Sequence, residues 1–129
     1  MATLFTKIVK GEIPSYTIAE DEKYLAFLDA MPLVKGHCLV IPKQEIDFIF
    51  DLENEDFENL WSFAQVVAKK MEKAYPSLRI AVAVLGLEVP HAHIHLIPIH
   101  KMDDMNFKNE RLKFSDEEYR EIQHHIINS

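Results

Sequence analysis

Four of the chain's seven histidines fall within ten residues, in the run His91-Ala92-His93-Ile94-His95-Leu96-Ile97-Pro98-Ile99-His100. Scattered at random, they would give about 0.02 occurrences of H-x-H-x-H, so the clustering has a cause other than chance. In an extended strand residues i, i+2 and i+4 share a face, so His91, His93 and His95 line up while Ala92, Ile94 and Leu96 turn into apolar packing. His100 has the opposite parity, follows Pro98 and leaves the row.

Three chemistries suit such a row. The simplest is a solvated sheet face, although such a face normally mixes polar residue types. A second is metal binding; residues i and i+4 of a straight strand lie about 13 Å apart, so two of the rings would need a ligand from elsewhere. The third is nucleophilic and acid–base catalysis. Imidazole, with an ordinary pKa of about 6.5, is mostly neutral and nucleophilic near neutral pH and also donates protons.

The elements that must position these residues follow from periodicity. The stretches YTIAED from Tyr16, YLAFLD from Tyr24 and HCLVIP from His37 alternate or run apolar between acidic, glycine and proline turns, as three short strands. Arg79 to Leu85 and Ala92 to Pro98 supply two more, the first apolar nearly throughout and so expected to be buried on both faces. Between Asn54 and Tyr75, Phe57, Leu60, Trp61, Ala64, Val67, Ala68, Met71 and Tyr75 recur at spacings of three and four. That predicts an amphipathic helix with Asn54 as N-cap and Pro76 as its stop, its aromatic stripe serving the core. Ser115 with Glu118 is a capping box opening a last helix that turns Tyr119, Ile122 and Ile126 inward. The expected fold is α+β in one domain over residues 1–129: an antiparallel five-stranded meander sheet, with a long central helix and a C-terminal helix on one side.

Composition narrows the function classes. The chain has 129 residues, 48% of them apolar, enough for one core. Its longest apolar or glycine stretch, Ile80 to Leu87, is eight residues, whereas a membrane helix needs roughly 18 or more. The N-terminus interrupts with polar residues the place where a signal peptide would be apolar, and Cys38 is the single cysteine, so a cytoplasmic protein without disulfides or a cysteine zinc finger is expected. Fourteen basic against twenty-one acidic residues, a formal charge of -7, disfavour a nucleic acid polymer as partner. The three glycines, Gly11, Gly36 and Gly86, stand alone, which excludes a glycine-rich phosphate loop.

His91-Ala92-His93-Ile94-His95-Leu96-Ile97 fits H-φ-H-φ-H-φ-φ, with φ apolar, and so resembles the histidine triad (HIT) nucleotide hydrolases and transferases. The upstream blocks Phe5-Thr6-Lys7-Ile8, Gly11-Glu12-Ile13-Pro14, Glu20-Asp21, Ala26-Phe27-Leu28-Asp29 and Gly36-His37-Cys38-Leu39-Val40-Ile41-Pro42-Lys43 are similar to the Hint-type branch in the same order. The resemblance implies that His93 is a nucleophile toward the α-phosphorus of a purine nucleotide conjugate, forming a covalent nucleotidyl-histidine. His95 would face the phosphoryl oxygens or the leaving atom, His91 would support the nucleophile, and His37 matches a fourth family histidine. Asp29 matches the acid that binds the ribose hydroxyls, although by residue type alone it reads as a turn acid before Ala30-Met31-Pro32. Leu4, Phe5, Ile8, Ile13 and Phe27 match an apolar slot for the base. No metal or other cofactor is implied, and the partners implied are an AMP-like purine nucleotide and a second copy of the chain in a homodimer.

The match departs from the Hint-type pattern before the triad. There the family places an asparagine, then Gly-Gln and a hydroxyl residue; this chain has Gly86, Leu87 and Glu88, with no asparagine from Arg79 to Pro90. The expected activity is nucleotide phosphoramidase or hydrolase. The alternatives are a nucleotide-binding module with little turnover, and a metal-binding protein using His91, His93 or His95 with His37 or Glu88.

Overall fold

In the computed structural model, which describes residues 2–129, five strands form one antiparallel sheet. They are β1 (Thr17–Glu20), β2 (Tyr24–Leu28), β3 (Cys38–Pro42), β4 (Arg79–Ala83) and β5 (Ile94–Ile99), in the spatial order β1-β2-β3-β5-β4. The class is the expected α+β, with a long helix α2 (Asn54–Ala74) and a C-terminal helix α3 (Asp116–Ile127). The first three strands meander as read from their turns. The last two are exchanged relative to a plain meander, because β5 pairs with β3 through Cys38↔Leu96, Leu39↔His95 and Val40↔Ile94.

That exchange corrects the reading of β4. It lies at the sheet edge and is half exposed along its length instead of buried on both faces, with Val82 49% accessible. The strand also stops at Ala83, and β5 begins at Ile94 instead of Ala92. No helix among the described residues is long and apolar enough to cross a membrane.

Alternation sorts the strands into two faces. Tyr24, Ala26, Leu28, Cys38, Val40, Ile94 and Leu96 face α2 and α3, meeting Leu60, Ala64, Val67, Met71, Ile122 and Ile126 in the main core. Several of these side chains are wholly inaccessible, and each fully buried aliphatic chain contributes about 1.5–3 kcal/mol. Leu25, Phe27, Leu39 and Ile41 point the other way, into a smaller cluster closed by Phe5, Ile8 and Val9 of α1 (Leu4–Val9). The helices are therefore not confined to one side. At six residues, α1 is too short to show a helical period.

The ends of the helices are built by different means. Asn54 is the first helical residue, not the cap; Glu53 precedes it without a side-chain cap, and Glu55 and Asp56 supply negative charge in the first turn instead. At the far end His125 Nε2 donates to the carbonyl of Ala74 at 2.6 Å, just before Pro76. The Ser115–Glu118 capping box of α3 is present with both of its hydrogen bonds. Gly36, at φ 90°, turns the chain into β3 in contact with Tyr75, whose ring a Cβ would meet at 3.3 Å.

Candidate active site

The smaller face of the sheet carries four buried histidines. His37, His91, His93 and His95 are each no more than 7% accessible, which removes the solvated-face reading. The parity expected of them holds, since Ala92, Ile94 and Leu96 lie in the main core on the opposite side. The row is not one straight strand, however. Only His95 belongs to β5; His91 and His93 sit in the irregular segment before it, tied down where the N–H of Ala92 donates to the carbonyl of Ile46 at 2.6 Å. The rings of His93 and His95 are neighbours with centroids 5.0 Å apart, whereas His91 turns back toward the end of β3.

Hydrogen-bond partners assign the tautomers. A carbonyl accepts only from an N–H, so His93 Nδ1, 2.7 Å from the carbonyl oxygen of His91, carries the proton. Its Nε2 is then a free lone pair. By the same reasoning His91 donates from Nε2 to the carbonyl of Pro42 at 2.8 Å, and its Nδ1 accepts from the hydroxyl of Thr3 at 2.9 Å.

A second chain runs through His37. The register of β2 and β3 continues one step beyond the strands, where the N–H of Asp29 donates to the carbonyl of His37, and so sets these two side by side. His37 Nδ1 accepts the backbone N–H of Leu33 at 3.0 Å. Its proton therefore lies on Nε2 and is donated to His95 Nδ1 at 3.0 Å, which leaves His95 Nε2 as an N–H donor. Burial pushes the pKa of His37 down to about 3, with the Arg111 guanidinium adding to the effect. Burial, then the neighbouring His37 and His93, push His95 down to about 3 as well. Both rings are neutral near pH 7, so the 3.4 Å approach of Asp29 Oδ2 to His37 Nε2 is not an ion pair.

Asp29 does two things at once. One oxygen accepts the N–H of Met31 at 2.9 Å, the turn role its residue type suggests, while the other faces the histidines. Of the apolar residues matched to a base slot, Phe5, Phe27 and Ile8 come together: Phe5 meets Phe27 at 5.6 Å, His93 at 5.0 Å and His91 at 5.8 Å. Leu4 points outward at 48% accessible, and Ile13 is half-buried outside that cluster.

Asp29, His37 and His95 each offer an atom within 4.8 Å of the others, which is metal-ligand spacing. The tautomers oppose that use. His37 Nε2 holds a proton as long as Nδ1 accepts Leu33, and a protonated nitrogen has no lone pair for a metal. Glu88 and Leu87 are exposed, the latter at 92%. Cys38 is fully buried, and burial raises its thiol pKa far above the usual range, so it is an inert core residue.

The stretch after β5 offers Met102 to Met105 and Asn106-Phe107 as a cover for the cleft or a contact with a partner, whereas residue types alone did not single out Arg111, Thr3, Thr6 or Glu45. The edge of Phe107 meets His95 at 5.0 Å, and Arg111, anchored to the carbonyl of Met31 at 2.7 Å, lies over the Phe107 ring. Part of the segment after β5 thus covers the site. Thr3, Thr6 and Glu45 gather behind His91. Apart from Arg111 over Phe107, four residues apart, these contacts join residues far apart in sequence, and the S/T-type N-cap pattern before α1 gives the one further local signal.

Known proteins resemble the chain in sequence and fold. The HIT domain family model matches residues 10–102. An uncharacterized HIT-like protein of Borreliella burgdorferi is 32% identical over 127 residues, covering 92% of this chain and 91% of its own. The adenosine 5'-monophosphoramidase hnt1 of Schizosaccharomyces pombe is 37% identical over 99 residues, covering 76% and 74%. Among solved structures, a Hit-like protein from Bartonella henselae superposes with a TM-score of 0.84 at 30% identity, covering 98% of this chain and 95% of that one.

Proposed function

The chain belongs to the HIT domain family, and from that premise we propose that it is a nucleotide phosphoramidase that releases AMP from purine nucleotide conjugates. The observation that carries the reading is the bond from His93 Nδ1 to the carbonyl of His91, which leaves Nε2 as a lone pair beside the N–H donor of His95.

The reaction proceeds in two balanced steps. His93 Nε2 attacks the α-phosphorus of a phosphoramidate protonated on its bridging nitrogen; the N–P bond forms, the bond to the amine breaks, and the amine leaves neutral. Water then attacks the phosphorus, the bond to His93 breaks, one water proton returns to solvent, and AMP leaves a neutral imidazole behind. An imidazole lowers both barriers, because it is a good nucleophile and, once phosphorylated and charged, a good leaving group. His95 Nε2 serves as donor to the phosphoryl oxygens, where charge builds up. The base lies against Phe5, Ile8 and Phe27, and the free oxygen of Asp29 accepts from the ribose hydroxyls.

The working form is a homodimer with a cytoplasmic site of action, the latter in keeping with a lone buried thiol. The dimer is supported by the free edge of β4. The decisive test is AMP release from adenosine phosphoramidate with a chelator present, comparing the wild type with His93→Ala. Release by the wild type alone supports the covalent mechanism, and equal release by both removes His93 as nucleophile. The exposed Leu87 and Glu88, in place of the usual donors, favour one second reading, a binding module. Tight AMP binding with no release from any conjugate would select it.

A further inference from the structure

The loop after β3 grips the site at two adjacent residues. Ile46 accepts the N–H of Ala92 between His91 and His93, and Glu45 reaches the start of α1. One carboxylate oxygen of Glu45 accepts both the backbone N–H of Thr3 at 2.8 Å and the hydroxyl of Thr6 at 2.6 Å. A threonine hydroxyl has one proton, so Thr6, having given its proton to Glu45, has none left for His91 Nδ1, 3.4 Å away. Thr3 Oγ1 accepts the N–H of Thr6, and its own proton has two acceptors in reach, Thr6 Oγ1 at 3.1 Å and the nearer His91 Nδ1 at 2.9 Å, which has no proton of its own because Nε2 donates to Pro42. Between these two threonines stands Phe5, edge-on to both His91 and His93.

We propose that Glu45 is a positioning residue for the nucleophile, acting through Thr6 and Thr3 on His91 and through the His91 carbonyl on His93. The proposal rests on the reading of His93 as nucleophile and adds what aims it. An acceptor-only carboxylate takes the Thr6 proton, so that Thr3 is the hydroxyl left to donate to His91 Nδ1. His91 is thereby held from both ring nitrogens, its carbonyl is fixed, and the His93 lone pair stays on Nε2. The same threonines seat Phe5 against the reacting ring. The Glu45 carboxylate meets only the N–H of Thr3 and the hydroxyl of Thr6, so its effect falls on turnover and not on nucleotide affinity.

The test compares Glu45→Ala, Glu45→Gln, Thr6→Val and Thr6→Ser in the full chain. The readouts are kcat and KM for adenosine phosphoramidate, and ring-nitrogen NMR of the His91 and His93 tautomers without substrate. Misaiming a reacting group typically costs tenfold or more, so Glu45→Ala should lose about tenfold in kcat with KM unchanged. Glu45→Gln keeps the acceptor and should restore most of it, as Thr6→Ser should against Thr6→Val. His91 and His93 should show mixed tautomers in Glu45→Ala and Thr6→Val. Unchanged kcat and tautomers in both, or equal loss in the conservative variants, would overturn the proposal. If Glu45→Ala fails to fold, the threonine pair decides. If His93→Ala is itself fully active, the nucleophile reading fails on its own, and the tautomer spectra still judge the chain.

Discussion

His37 Nε2 donates to His95 Nδ1 across 3.0 Å, and the direction of that bond is set on the far side of the His37 ring, where Nδ1 accepts the N–H of Leu33. A backbone amide within the β2–β3 connection thus determines which nitrogen of His95 carries a proton. The consequence for function is that His95 presents a donor while remaining uncharged.

Removing the relay should impair turnover more than binding. His37→Ala deletes the donor to His95 Nδ1, so His95 is free to place its proton on either nitrogen. Mispositioned acid–base groups cost about 10–100-fold, and kcat for AMP release should fall by that much with little change in KM. Steady-state kinetics against adenosine phosphoramidate check this; a KM effect alone would mean that His37 shapes the pocket and not the donor.

Acid should destabilise the protein through these same rings. His37 and His95 titrate near 3 in the folded chain, and His91 is also lowered, chiefly by burial, whereas unfolded histidines titrate near 6.5. Below about pH 6.5 the unfolded state binds more protons, so stability is full above that pH and is lost as pH falls toward 3. Each excess proton steepens the loss by about 1.4 kcal/mol per pH unit. Urea midpoints should hold from pH 7.5 to about 6.5 and fall steadily from there to pH 4, and His37→Phe should flatten that fall.

The cover over His95 should be visible in the same titration. Phe107→Ala exposes the edge of His95 that the ring now shields, and with less desolvation the His95 pKa should move up toward its ordinary value. Ring-proton NMR of His95 over pH 3–7 should show a higher midpoint in the variant than in the wild type. An unmoved midpoint would assign the burial to the sheet alone.

How much of this was legible beforehand depends on how local the cause was. The parity of Ala92, Ile94 and Leu96 against the histidines, and the stripe of Leu60, Ala64, Val67 and Met71 on α2, follow from the period of one element, and both held. The place of β5 between β3 and β4 did not follow, because no turn joins those strands and their pairing is decided by the whole core. For the same reason β4 read as buried when it is an edge. The triad announced its histidines, and the family resemblance added His37, but the bonds that set their protons join Leu33 to His37, His37 to His95 and Thr3 to His91, pairs no spacing rule connects. Phe107 lies in a stretch without period that offers it as a cover for the cleft or a contact with a partner without choosing between them, and only the packed chain brings it and Arg111 to His95.

The ribose contact should separate from the turn that Asp29 also builds. In Asp29→Asn one side-chain oxygen still accepts from Met31, so the loop is retained, but the second oxygen is replaced by an amide donor. Binding of AMP should weaken about tenfold or more, as expected for a lost charge-assisted hydrogen bond, while binding of deoxy-AMP should weaken less. Calorimetric titration of both nucleotides measures the difference; equal weakening would leave Asp29 a turn residue only.

Dimerisation should depend on the free edge of β4. Val82, 49% accessible, and Trp61, Ala64, Ala68 and Leu96 line a concavity of about 410 Å³ beside that edge. An edge strand with apolar residues invites pairing with its own copy, and a lysine there opposes it by charge and desolvation. Val82→Lys faces solvent in a monomer and should fold normally there, so in sedimentation velocity at micromolar concentration the wild type should run as the proposed dimer and the variant as a monomer. A wild type that is already monomeric would dispose of the dimer, and a Val82→Lys variant that still dimerises would move the interface to another face.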